Sequence, residues 1–409
     1  MTRNAPSRGR SAFGALAVGS LVSGVLAYVF FAQVTRGLGA AEAAPVSVLW
    51  AYWGFAAAGV TFPLQHWIAR WVAADGHEAA VRRALPRVFA LALAASLVSG
   101  CVAWALRESL FVSSGAAFSL LVGAVTLLSA AMGLVRGTLA ARGRFAAVGG
   151  VLTVENLLRC VVAQVLLTSG VTDPAAYGGA LLAGYAACLA WPSAWRLRAG
   201  PSGAPAPVAF LGGAAAGQVV GQAVLIGGPF VLALAGGTPR EVTALFAGLA
   251  LFRAPYALAI GQVSALTTRV TERVVAGRHH ELRRLHRFLL AGTVAAALAA
   301  AGFGAVVGPP ALRLVFGDEA ALAAGPSALV AAGTTFAMAT LVLTALVMAH
   351  DRASRIALSW VVAVVPGALA YAVVDAGDLE RVVIAFVVVE VTAWTGLLVA
   401  ARPSAPIKA

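Results

Sequence analysis

Lysine is all but missing from this sequence: one residue, Lys408, stands beside 28 arginines. Charge of either sign is scarce, at 11% of residues against 61% apolar, and the mean hydropathy of +0.90 excludes an ordinary soluble domain. Cysteine is nearly absent as well. Cys101, Cys160 and Cys188 all lie inside apolar runs without CxxC or ligand spacing, which excludes a disulfide framework and reads as three small core residues. No GxxxxGK[ST] loop occurs, so the chain carries no ATPase of its own. His279, His280, Glu281 and His286 lack the HExxH spacing and sit among arginines. That setting predicts a solvated amphipathic turn at a membrane interface and no metal or other cofactor.

What the sequence has in abundance is long apolar runs. Crossing a bilayer takes about 20 helical residues, and twelve stretches qualify: 12–34, 46–66, 86–106, 116–136, 147–169, 176–196, 208–236, 243–265, 288–308, 326–348, 356–374 and 382–401. Alanine and glycine fill many of them, as expected where helices approach closely on small residues. The first run is too long for a cleaved signal segment and is read as helix one. The fold class predicted is all-α integral membrane.

The sign of the charge then orients the chain. A net charge of +13 would point to nucleic acid or anionic lipid in a soluble protein. In a membrane chain the placement matters more, and no nucleic-acid partner is expected. With twelve spans, 22 of the 29 basic residues fall at the termini and in the even-numbered loops, against five in the odd-numbered loops (Arg36, Arg107, Arg240, Arg313 and Arg381). The positive-inside rule places both termini in the cytoplasm, in a cell or inner membrane. Tryptophans such as Trp67, Trp71, Trp104, Trp191 and Trp195 stand near predicted span ends, as interfacial anchors would.

RWVAADGHE (Arg70 to Glu78) and RVVAGRHHE (Arg273 to Glu281) share five of nine residues at an offset of 203. Both follow the second helix of a six-helix half, and each leads into a basic segment, VRRALPRVFAL from Val81 and LRRLHRFLL from Leu282. The expectation is a tandem repeat, 1–200 and 201–409, with the halves related by a pseudo-twofold along the membrane normal and a central cleft between them. The non-cytoplasmic loops, at 35–45, 107–115, 170–175, 237–242, 309–325 and 375–381, are too short for a catalytic domain. A non-enzymatic transport role is expected.

Four charges fall inside spans: Glu155 and Arg159 in helix five, Arg253 in helix eight and Glu390 in helix twelve. Each costs roughly 2.5–3.5 kcal/mol at a helix centre and is a functional candidate by default. Glu155 and Arg159 stand at i and i+4 and can neutralise each other, as a structural pair or as a substrate contact. Arg253, in LALFRAPYALAIG, has no acid within a turn, and Pro255 follows two residues on. Its planar fork suits a phosphate or carboxylate in a wet cleft; the other reading pairs it with Glu390. Gln218 and Gln222 share a face of helix seven, and Gln164 and Gln262 lie in helices five and eight. These amides either hold helices together or meet sugar hydroxyls lining the cleft. Gly227 to Phe230, GGPF, should break helix seven.

Twelve helices in two parallel halves, VRGTLAARGRF (Val135 to Phe145), LFRAPYALA in helix eight and LRLVFGDEA (Leu312 to Ala320) resemble the polysaccharide biosynthesis flippases of the multidrug/oligosaccharidyl-lipid/polysaccharide exporter superfamily. The resemblance covers the whole chain on loose motifs. It implies movement of an undecaprenyl-pyrophosphate-linked oligosaccharide from the inner to the outer leaflet by alternating access, with cavity arginines meeting the pyrophosphate, a role that fits Arg253. Implied partners are the lipid-linked oligosaccharide, membrane lipids, a glycan polymerase and glycosyltransferases. The sequence departs from relatives in having fewer helices than the fourteen-helix lipid II flippases, and in lacking the first-helix acid that cation-coupled drug exporters often use. A cation-coupled drug or metabolite antiporter would share the fold and is the alternative reading.

Overall fold

A chain this apolar can satisfy its backbone within a membrane only by pairing each N–H and C=O inside its own segment, which selects helices. The computed structural model describes residues 5–75, 78–112, 115–200, 222–256, 278–349 and 353–402. Among them the regular elements are helical throughout, and nine helices are long and apolar enough to cross a membrane. The chain forms two units, Met1–Gln222 and Ala223–Ala409.

In the first unit, α1 (Ala5–Glu42) packs along α7 (Phe145–Thr168), while α4 (Ala79–Ala105) and α3 (Phe62–Asp75) pack on α6 (Ala117–Ala141). Small residues set these distances. A Cβ at Gly19 would come within 2.7 Å of the Gly149 backbone, and one at Gly133 within 2.9 Å of the Thr61 carbonyl, so these helices touch backbone to backbone. The second span joins α2 (Ala44–Ala56) to α3 through a π-helical segment, Ala57–Thr61. There Thr61 donates from Oγ1 to the Ser129 carbonyl at 3.0 Å. The sixth span is α8 (Pro174–Ala183), capped by Asp173, whose side chain accepts from the Ala175 amide at 3.0 Å. It continues as a 3₁₀ helix, Gly184–Ala190. The tighter helix rises further per residue, so these 17 residues cover about 29 Å, close to a bilayer core. A short helix, α9 (Pro192–Trp195), follows.

In the second unit the seventh span breaks at Gly227, after helical residues 222–226, and resumes as α10 (Gly228–Leu234), as GGPF predicted. A Thr238–Glu241 capping box with Pro239 at the first turn starts α11 (Pro239–Phe252). Then come α12 (His279–Phe316), α13 (Ala324–Ala349), α14 (Ala353–Val373) and α15 (Asp378–Ala400). α12 packs on α13, and α15 packs on both α13 and α14. Long runs of α12 and α14 expose Leu298, Val306, Leu358 and Val361, the surface that acyl chains would cover.

Three expectations need correction. The loops expected at 35–45 and 309–325 are largely helix. α1 continues to Glu42 across one non-helical residue, Gly39 (φ 77°), and α12 carries Pro309 and Pro310 inside it to Phe316. Arg36 and Arg313 therefore lie in helices, because hydrogen-bonded turns outlast the apolar run that signals them. Trp67 is fully buried, packed with Leu64, Ile68 and Leu134, and is not an interfacial anchor. Cys101 is exposed on α4, so only Cys160 and Cys188 are core residues.

Candidate functional site

One cluster of buried polar residues in the first unit lies where α2, α7 and α8 meet. Arg159 is fully buried, and all three of its guanidinium nitrogens donate. Nη2 bonds to Glu155 Oε1, Nη1 to Asn156 Oδ1 at 3.1 Å, and Nε to the Leu181 carbonyl at 3.0 Å. The Trp53 ring covers it at 4.5 Å. Asn156 Nδ2 donates in turn to Ser23 Oγ on α1 at 2.8 Å. The helix beside Arg159 has room for the fork only because Gly184 lacks a side chain: a Cβ there would sit 2.5 Å from Arg159 Nε. The i to i+4 pair expected from the sequence is formed, with further partners that tie four elements together.

Arg136 stands at the very end of the span expected over 116–136. α6 continues past it to Ala141, and its side chain is only 8% exposed. Its guanidinium lies 5.3 Å from the Phe62 ring centroid, and Nε has no hydrogen-bond partner among the described residues. The groups near enough to act on its charge are Glu155, Tyr185, Cys188 and His66. Of these, Glu155 is already bonded to Arg159, and Tyr185 to Ser129 Oγ at 2.8 Å.

A second arrangement lies where α4 begins. Glu78, from the first copy of the repeated phrase, is 6% exposed. It accepts Arg142 Nε at 2.7 Å, Arg142 Nη2 at 2.8 Å and the Arg198 amide at 2.6 Å. Arg142 also donates to the carbonyls of Ser193 and Arg196. Burial pushes the Glu78 carboxyl up, but the hydrogen bonds from Arg142 and the Arg198 amide, with the charges of both arginines, outweigh it and hold the group below the usual carboxylate range. The same bond raises Arg142 against its own burial. In the second copy, Glu281 is exposed and meets Arg278 at 3.4 Å, so the two phrases share residues but not surroundings.

In the second unit, Arg253 caps the C-terminus of α11, half-buried, with its amide bonded to the Leu249 carbonyl at 3.1 Å. Glu390 is fully buried on α15, and neither of its oxygens has a hydrogen-bond partner among the described residues. No hydrogen bond therefore joins Glu390 to Arg253, the partner weighed for it from the sequence. Trp394, one turn on from Glu390, also keeps Nε1 unpartnered while its ring meets Phe336 edge-on at 5.3 Å. Gln222 is half-buried in the helical residues 222–226. Gln164 accepts from Gln33 Nε2 at 2.8 Å, joining α7 to α1. Gln218 and Gln262 lie outside the described residues.

This arrangement of helices is the fold of the MATE transporters and of a lipid flippase. An inward-facing multidrug resistance MATE family transporter of the MOP superfamily matches with TM-score 0.60 and 15% identity, over 95% of this chain and 93% of that one. The eukaryotic MATE transporter AtDTX14 matches with TM-score 0.61 and 15% identity, over 97% and 96%. The lipid II flippase MurJ, in an inward closed conformation, matches with TM-score 0.60 and 13% identity, over 95% and 87%. No family model and no curated protein matches the sequence.

Proposed function

We propose that this chain is a membrane flippase that moves a lipid-pyrophosphate-linked oligosaccharide, a surface polysaccharide precursor, from the inner to the outer leaflet. The observation that carries this reading is the balance of buried charge. Among the described residues of the first unit the buried carboxylates are Glu78 and Glu155, engaged by Arg142 and Arg159, and the buried Arg136 stands in excess of them. An interior with guanidinium in excess attracts an anionic head group and repels a cationic drug. The fold suits the task, since both drug transporters and a lipid flippase use it. In this reading 1–200 and 201–409 are parallel repeats that alternate access to a cleft, with both termini in the cytoplasm. Arg253, Gln218 and Gln222 line the path of the head group. A glycan polymerase and glycosyltransferases are its working partners.

The second reading, a cation-coupled drug or metabolite antiporter, is favoured by one observation, the fully buried Glu390 without a hydrogen-bond partner among the described residues. Intramembrane carboxylates of that kind serve as proton or cation carriers in transporters. Deleting the gene and restoring it as Arg253→Ala or Arg253→Lys separates the readings. In a flippase, Arg253→Ala should abolish surface glycan at normal protein level, and Arg253→Lys should keep part of it as a point charge without the fork. Full export by Arg253→Ala, together with cationic dye uptake driven by a proton or sodium gradient in proteoliposomes, would overturn the flippase in favour of the antiporter.

A further inference from the structure

Arg136 is 8% exposed, and its guanidinium Nε has no hydrogen-bond partner among the described residues. A buried charge left unpaired is strongly unfavourable, by several kcal/mol. The Phe62 ring offers it a π face at 5.3 Å, and the one carboxylate whose charge acts on it, Glu155, is shared with Arg159. On α3, Gln65 also keeps a buried Oε1 without a hydrogen-bond partner among the described residues. The Gln65 backbone is pressed against α6 one residue from Arg136, since a Cβ at Gly137 would meet Gln65 Cα at 3.0 Å. Of the buried acids described in this unit, Glu155 is bonded to Arg159, and Glu78 is held by Arg142. Among the described residues, Arg136 Nε and Gln65 Oε1, on helices packed together, are thus both without a hydrogen-bond partner.

We propose that Arg136 forms an anion site for a phosphate ester, its fork binding two phosphate oxygens while the Gln65 amide takes an adjacent hydroxyl. A planar fork grips phosphate in a bidentate manner, and the Phe62 ring fixes its plane. The proposal rests on the lipid-linked reading above for the identity of the ligand. The same phosphate chemistry could be supplied by a phospholipid head group or by free pyrophosphate.

The test compares wild type with Arg136→Gln and Arg136→Lys, purified in detergent, using polyprenyl pyrophosphate, inorganic pyrophosphate and phosphatidylglycerol as probes of thermal stabilisation. Wild type should be stabilised by polyprenyl pyrophosphate. Arg136→Gln should lose that affinity by about tenfold or more, as expected on removing charge-assisted hydrogen bonds, and Arg136→Lys should lose less. Without ligand, Arg136→Gln should melt at or above the wild-type temperature, because it removes an unpaired buried charge. A structural role would lower it. Stabilisation by phosphatidylglycerol or inorganic pyrophosphate alone, lost in Arg136→Gln, would uphold the anion site and overturn the lipid-linked reading. Unchanged polyprenyl pyrophosphate affinity in Arg136→Gln would overturn the site and leave that reading in place. No stabilisation by any of the three would overturn both.

Discussion

Arg159 shows what a buried arginine needs in order to be stable: its three nitrogens donate to Glu155, Asn156 and the Leu181 carbonyl. Removing one member of such a set strands the others. Glu155→Gln and Arg159→Gln should each destabilise the protein by about 3–5 kcal/mol, read as a lower melting temperature in detergent, and the double substitution should recover part of the loss. Equal or additive losses in the double variant would mean that the two charges act separately. The i to i+4 spacing made the pair itself legible in the sequence, since one helix brings both groups to one face. Leu181 and Gly184 were not legible as partners, because only tertiary packing of α8 on α7 brings them there. The end of α6 was less legible, since the span expected over 116–136 stops at Arg136 and the helix runs to Ala141. Hydropathy marks where apolar residues stop, and α6 keeps its hydrogen bonds for a further turn beyond that point.

At the scale of elements, the Glu78 clamp joins the start of α4, the turn after α6 and the end of α9. The repeated phrase was visible in the sequence, but the burial of its glutamate was not, because Arg142 and Arg198 reach it from 64 and 120 residues away. The clamp predicts a pH response of definite sign. A carboxyl held below its ordinary value of 4.5 adds stability that is fully present above that value and is lost as pH falls through the lower folded value. Wild type should therefore lose thermal stability on acidification below about pH 4.5 more steeply than Glu78→Gln, and the variant should be the less stable of the two at pH 7. Parallel curves for the two proteins, measured by melting from pH 3 to pH 7, would remove the clamp from the stability of this unit.

For the whole molecule, hydropathy and the placement of arginine were sufficient to read an all-helical, many-span chain, because bilayer thickness and backbone satisfaction leave few alternatives. Span ends were less legible, as Arg36 and Arg313 show by lying within helices. The charge asymmetry still makes a testable statement about sidedness. In a cysteine-free background, Arg83→Cys and Arg284→Cys should be shielded from an impermeant thiol reagent in intact cells, and Glu319→Cys should be labelled. Labelling of the first two from outside would invert the assigned orientation. Another whole-span property turns on a single residue. The π segment Ala57–Thr61 carries one residue more than an α-helical path would, so every side chain after it is turned by about 100° around the axis. Phe62 lies beside Arg136 because of that phase shift. A one-codon deletion anywhere from 57 to 61 would leave the hydropathy, length and sidedness of the span almost unchanged, yet swing Phe62 and Gln65 away from α6.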